Sequence, residues 1–195
     1  MNFLAHIYLS GDNEELKIGN FIADSVKGKK YLRYSENIQK GILLHRAIDT
    51  FTDSHPIVRQ STSRLLHNYS HYSSVIVDIL YDHFLAANWK NYSNNSLNNY
   101  VDEFYNLMES NFELLPKRVQ NFLPVMIKNN WLLSYESIKG IEKILFQMDH
   151  RTNYKSKMQF AVRDLKDHYS EFQDEFFSFF EELKEFSQKE INRFK

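Results

Sequence analysis

The chain has 195 residues, of which 43% are hydrophobic and 15% aromatic, enough apolar material for one domain, expected over residues 1–195, with a substantial core. Lys and Arg (24) balance Asp and Glu (25) to a formal net charge of -1 and are scattered, which excludes a uniformly basic nucleic-acid-binding surface and limits any acidic partner to a local patch. The absence of cysteine excludes disulfides and thiolate metal sites.

The opening MNFLAHIYLS lacks a basic n-region and a small-residue cleavage site, and no apolar run reaches the roughly 18 residues of a membrane span. A cytoplasmic protein without stable membrane association is expected. Gly and Pro are scarce (5 and 3), and no alternation of apolar and polar residues is sustained between hairpin turns, so the fold is expected to be all-α, a compact multi-helix bundle. In chain order the helices are expected over 2–9, 13–27, 35–53, 56–68, 72–90, 96–113, 117–130, 136–148 and 157–192, the last broken near His168. Ser35 is a plain N-cap without a full capping box, and Pro56 suits the first turn of the helix it opens. The stretch NYSNNSLNN at 91–99 is the most loop-like segment but marks no domain boundary, because the same aromatic-rich composition resumes after it. The Phe-rich EFFSFFEELKEF at 175–186 has helical spacing and is expected to face the core.

Several ionisable residues fall on these apolar helices. His6 lies within FLAHIYL, and Asp24 lies one turn beyond Asn20 in GNFIADSVKG. In KGILLHRAIDTFTDSHP at 40–56, Ile42, His45, Asp49 and Thr52 follow at spacings of three, four and three, so an imidazole and a carboxylate share one face and can reach a single divalent ion. Asp53 and His55 close that helix. In VIVDILYDHFLAANW at 75–89, Asp78 and Asp82 share a face, since residues four apart differ by about 40° in direction, while His83 points about 100° from Asp82. Burying an unpaired carboxylate costs several kcal/mol or neutralises it, so a cation, a proton or a set of donors must lie nearby. Each residue also has a structural explanation: His6 as a hydrogen-bonded core histidine, Asp24 as an acceptor near a helix end, Asp78 and Asp82 paired with Arg46 or Arg64. Their convergence from separate helices favours a shared metal or catalytic site.

The motifs MNFLAH (1–6), GNFIAD with Val26-Lys27-Gly28, GILLHRAIDTFTDSHP (41–56) and VDILYDHFLAANW (77–89) resemble the acyl carrier protein phosphodiesterase family in order and spacing, and WLLSYESIKGIEKILFQMDHRT (131–152) resembles its less distinctive C-terminal part. The resemblance implies an enzyme that removes the 4'-phosphopantetheine arm from holo-acyl carrier protein, similar to the HD-domain metal phosphohydrolases and dependent on manganese. Here His-Asp in that order is absent from the motifs and only the reversed Asp82-His83 occurs, while Ser25 stands where a bulky residue is expected. The resulting assignment gives Asp24, His45, Asp49 and Asp82 as metal ligands, His83 as a further ligand or as the acid for the leaving serine oxygen, Asp78 with it in the catalytic group or orienting a ligand, Asp53 as a residue that orients the ligands, and His6 as either a ligand or an orienting residue.

Acyl carrier proteins are small and acidic, and SVKGKKYLRY places Lys27, Lys29, Lys30 and Arg33 directly after Asp24, a docking patch for such a partner. The pantetheine arm requires a cleft, for which Tyr31 and Tyr34 are candidate rim residues. Two alternatives stay open from the residues alone: a metal phosphohydrolase acting on a nucleotide or other small phosphodiester, and a non-enzymatic helical interaction protein. A di-iron carboxylate bundle lacks its Glu-x-x-His pair here.

Overall fold

The computed structural model describes residues 1–194, and among them every regular element is helical. Helix α1 (Phe3–Leu9) is followed by α2 (Glu14–Ile22), where Asn13 caps by accepting from the Leu16 N–H at 2.9 Å and Glu14 and Glu15 place negative charge on the first turn. Helix α2 does not run on to residue 27 as expected. It tightens into a 3-10 turn, Ala23–Ser25, and breaks at Val26, after which Gly28 takes φ +56° and a second 3-10 segment, Gly28–Arg33, begins. Arg46 fixes that bend by donating from Nη2 to the Val26 and Gly28 carbonyls, both at 2.9 Å.

Helix α3 (Glu36–Ser54) starts after Ser35, but the Ser35 hydroxyl donates to Glu15 Oε1 at 2.7 Å and so ties α3 to α2 instead of capping its own helix. Helix α4 (Pro56–Tyr69) opens with Pro56 in its first turn, and α5 (Ser73–Ala87) holds the apolar stretch of residues 75–87. Beyond Ala87 the chain forms α6 (Leu97–Ser110), α7 (Lys117–Lys128), the single-turn α8 (Trp131–Ser134), α9 (Ile138–Arg151), α10 (Ala161–Asp167) and α11 (Tyr169–Arg193). The break at His168 is where the sequence placed it, while α8 is an additional turn started by Asn130 at φ +44°. No helix among the described residues is long and apolar enough to cross a membrane.

Helix α5 runs through the centre: Ile76, Val77, Ile79, Leu80, Tyr81, Phe84 and Leu85 are all inaccessible to solvent. Phe172, Phe176, Phe179, Phe180 and Leu183 of α11 pack against this core, as the Phe-rich spacing predicts, each contributing about 1.5–3 kcal/mol by leaving water. Helices α2 and α3 touch backbone to backbone. A Cβ on Gly19 would sit 2.2 Å from the Ile38 carbonyl oxygen, and one on Gly41 would sit 2.3 Å from that of Leu16. That closeness brings Asn20, next to Gly19, against His45, one turn beyond Gly41.

Candidate metal centre

Asn20 is fully buried, and both ends of its amide are committed. Its Nδ2 donates to the His6 carbonyl at 2.8 Å and to Ser10 Oγ at 2.9 Å, which fixes Oδ1 as the acceptor facing His6 Nδ1 at 2.8 Å and His45 Nδ1 at 3.1 Å. Both imidazoles therefore carry a proton on Nδ1, and their Nε2 atoms point the other way. The rings stack at a centroid distance of 3.9 Å and an interplanar angle of 18°.

Both Nε2 atoms face Asp49. His6 Nε2 lies 3.2 Å from Oδ1 and His45 Nε2 lies 3.1 Å from Oδ2, with Asp24 Oδ1 at 3.3 Å on the open side of His45. The His6 Nε2 is buried and makes no hydrogen bond at all. A nitrogen lone pair aimed at a carboxylate is repulsive unless a proton or a cation lies between them. Ligand atoms of His6, His45 and Asp49 all lie within 4.8 Å of one another, the separation expected across one ion with bonds of about 2.1–2.4 Å. Two neutral imidazoles and a carboxylate are a donor set that fits a divalent ion.

Without an ion, the proton is shared unequally. Burial works against charge on His45, but contacts with the Asp24 and Asp49 carboxylates outweigh it and push the imidazole up to about 9. Burial, reinforced by the charge on His45, pushes His6 down to about 4. Burial alone would raise Asp49, yet the two imidazoles reverse that and hold it well below the usual carboxylate range, and contact with His45 likewise lowers Asp24.

The cluster opens onto a cavity of about 260 Å³ lined by His6, Asn20, Asp24, His45, Asp49, Asp53 and Asp78 together with Met1, Asn2, Phe3 and Phe21. The half-buried Asp78 accepts from the Met1 amino group at 2.8 Å, and burial holds its carboxyl above the usual range against the pull of that ammonium. Asp53 is exposed at the cavity edge.

Two residues expected at the site are engaged elsewhere. Asp82 is fully buried beneath the start of α1, where its carboxylate accepts from the backbone N–H of Asn2 (3.2 Å), Leu4 (2.7 Å) and Ala5 (3.4 Å), so it satisfies groups that a helix N-terminus leaves orphaned. Burial pushes its carboxyl up to about 7, opposed by the Met1 ammonium and those N–H donors. It lines no part of the cavity, and its lone pairs are already in use. His83 is also away from the cluster. Its Nδ1–H donates to the Tyr135 carbonyl at 2.8 Å and its Nε2 accepts from the Tyr169 hydroxyl at 3.1 Å, a satisfied core histidine that burial lowers below its ordinary pKa. The partners weighed for Asp78 and Asp82 are occupied too, Arg46 by the Val26 and Gly28 carbonyls and Arg64 by Glu175.

Lys27, Lys29, Lys30 and Arg33 are all exposed on and beside the 3-10 segment that follows Asp24, with Leu32 58% exposed in their midst. Tyr31 stacks under Arg46 and packs with Tyr34 on the core, so neither lines the cavity. The residue that sequence reasoning undervalued is Asn20. Its signal was a fully polar amide inside the apolar run IGNFIA, which has to find buried partners.

No solved structure matches the chain. Among curated proteins it is 31% identical over 181 residues to the acyl carrier protein phosphodiesterase of Photorhabdus laumondii, covering 92% of this chain and 91% of the relative. It is 30% identical, over 92% of its length and 94% of theirs, to the proteins of that name from Pectobacterium atrosepticum and Yersinia enterocolitica. The profile of acyl carrier protein phosphodiesterases matches residues 1–183, from His6 through every residue of the cluster to the core aromatics of α11, and the chain belongs to that family.

Proposed function

We propose that this protein hydrolyses the phosphodiester joining 4'-phosphopantetheine to the serine of holo-acyl carrier protein, releasing apo-carrier protein and 4'-phosphopantetheine. The observation that carries the reading is the pair of Nε2 atoms held on the Asp49 carboxylate by Asn20, because a phosphodiester is an anion and these donors are built to hold a cation against it.

His6, His45 and Asp49 would hold a divalent metal ion, with Asp24 on its open side, and manganese is the ion the family resemblance implies. Such an ion would supply positive charge to the phosphate oxygens and lower the pKa of water enough to make it a nucleophile at neutral pH. The chain's own part is positional. Asn20 fixes the tautomer and tilt of both imidazoles, an outer contact of the kind that sets ligand basicity. Asp78 lies in the cavity with its carboxylate paired to the Met1 ammonium, and we assign it to the catalytic group. Asp53, exposed at the rim one turn beyond Asp49, is assigned to orient groups around it. Asp82 and His83 take no part: the first holds α1, and with it His6, in place, and the second locks α5 to Tyr135 and Tyr169.

The basic 3-10 segment is the docking surface for the acidic carrier protein, with Leu32 supplying an apolar contact amid four cations. Intact-mass measurement on holo-carrier protein with manganese tests the function. Loss of the whole prosthetic group supports it, and cleavage of a nucleotide panel with holo-carrier protein left intact would favour a small-molecule phosphohydrolase instead.

A further inference from the structure

A second cleft, of about 270 Å³, meets the metal-centre cavity at Asp24 and Asp78. Its walls are of a different kind. Val75, Trp131, Ile144 and Met148 supply apolar surface, and Arg118 and Arg151 line it with two exposed guanidiniums. The first cavity, by contrast, is lined by four carboxylates and no Lys or Arg side chain. The Arg–carboxylate pairs among the described residues are Arg64–Glu175 and Arg193–Glu190, so neither cleft arginine is in a direct ion pair, although Asp24 and Asp78 stand where the two cavities meet. Arg151 instead lies over the Trp131 ring, 5.6 Å from its centroid, and 3.6 Å from the Met148 sulfur. A trough with apolar walls and two guanidiniums free of direct ion pairs, opening onto a phosphodiester site, suits a ligand with a chain of mixed apolar and amide groups and an anion at one end.

We infer that this cleft binds the 4'-phosphopantetheine chain, its gem-dimethyl and amide stretch against Val75, Trp131, Ile144 and Met148 and its phosphate drawn by Arg118 and Arg151. The inference rests on the carrier-protein reading, and it divides the substrate: the carrier protein docks on the basic 3-10 segment that follows Asp24 in the chain, and the prosthetic group lies in the cleft that Asp24 borders. Hydrolysis places the water oxygen on phosphorus and a proton on the serine oxygen. The product is then a phosphate monoester with about one more negative charge than the diester at pH 7, which the two guanidiniums hold more strongly than the substrate.

Fluorescence titration with free 4'-phosphopantetheine tests this directly, since Trp131 lies in the cleft whereas the other tryptophan, Trp89, is buried and bonded to the Asn95 carbonyl. A saturable change in emission is expected, at least tenfold tighter than with dephosphorylated pantetheine. The double variant Arg118→Glu/Arg151→Glu changes only exposed side chains, so its melting temperature should hold while it loses that tenfold preference. Met148→Glu should weaken both ligands and raise KM for holo-carrier protein at least tenfold, by more than it slows a chromogenic phosphodiester. Variants that bind 4'-phosphopantetheine like the wild type would overturn the cleft assignment, as would equal weakening of inorganic phosphate and 4'-phosphopantetheine by the arginine reversal. If the wild type leaves holo-carrier protein intact in the mass assay, the proposed function fails on its own; a cleft failure shows instead in an active wild type whose Met148→Glu variant keeps its KM.

Discussion

His6 and His45 come from helices 39 positions apart in the sequence, yet their rings stack at 3.9 Å with both Nε2 atoms turned to one carboxylate, that of Asp49. Two imidazoles in such contact cannot both be protonated without repulsion, and the unprotonated Nε2 of His6 gains nothing from facing an anion. A divalent ion removes both conflicts together.

Chelation should therefore abolish hydrolysis and lower thermal stability, with manganese restoring both. At a hundredfold excess over Kd, a ligand that binds only the folded state adds about 2.7 kcal/mol, or roughly 5–11 °C in Tm for a chain of this size. Calorimetry with and without the ion checks this. Full activity in exhaustively chelated protein would be incompatible with the assignment.

Metal affinity should depend on pH in a defined direction. In the ion-free protein His45 titrates at about 9, above its unfolded value, so the stability it contributes is fully present below about 6.5 and is lost as pH rises through about 9. The ion must displace that proton, so apparent affinity should rise roughly tenfold per pH unit from pH 6.5 towards 9, with about one proton released per ion bound. Isothermal titration in buffers of different ionisation enthalpy counts the proton; an affinity flat across that range contradicts the geometry.

Asn20→Leu should uncouple the stack. It keeps the side-chain size but strands two buried Nδ1–H groups, at a cost of about 1–3 kcal/mol each, and should weaken metal binding by about 10- to 100-fold. A variant that melts earlier but binds manganese as tightly as the wild type would mean that Asn20 holds the helices together without setting the ligands.

Asp82→Ala and His45→Ala should fail in different ways. Losing Asp82 exposes three backbone N–H groups at the start of α1 and should cost about 3 kcal/mol or more, while leaving the metal ligands present; Asp82→Asn keeps an acceptor and should cost less. Losing His45 removes a ligand and should eliminate metal binding with a smaller effect on the melting of the ion-free protein. Metal content and Tm measured side by side separate the two, and a stable, metal-free Asp82→Ala protein would return Asp82 to the ligand set.

Lys29→Glu with Lys30→Glu should raise KM for holo-carrier protein and flatten its salt dependence, with little change in kcat, because exposed charges steer association without touching the reacting bond. A chromogenic phosphodiester should be hydrolysed as before. Equal losses on both substrates would place these lysines in the fold or the site.

The order of residues alone set the helical architecture, because period and composition are local properties: the scarcity of Gly and Pro, the break at His168 and the buried Phe face of α11 were all readable from composition and spacing. It also determined that His45 and Asp49 could act together, since one turn of helix puts them on one face. Which other polar residues join them depends on how the helices pack. Asp82 and His83 looked as suitable as His6, because burial of an ionisable group is visible in an apolar helix but its partner is not. Three backbone N–H groups from α1 claim Asp82, the Tyr135 carbonyl and Tyr169 hydroxyl claim His83, and Asn20 reaches both imidazoles only because Gly19 and Gly41 let α2 and α3 meet at their backbones. A buried polar residue announces that it needs a partner; the packing of helices far apart in sequence decides whether that partner is a peptide group, a side chain or an ion.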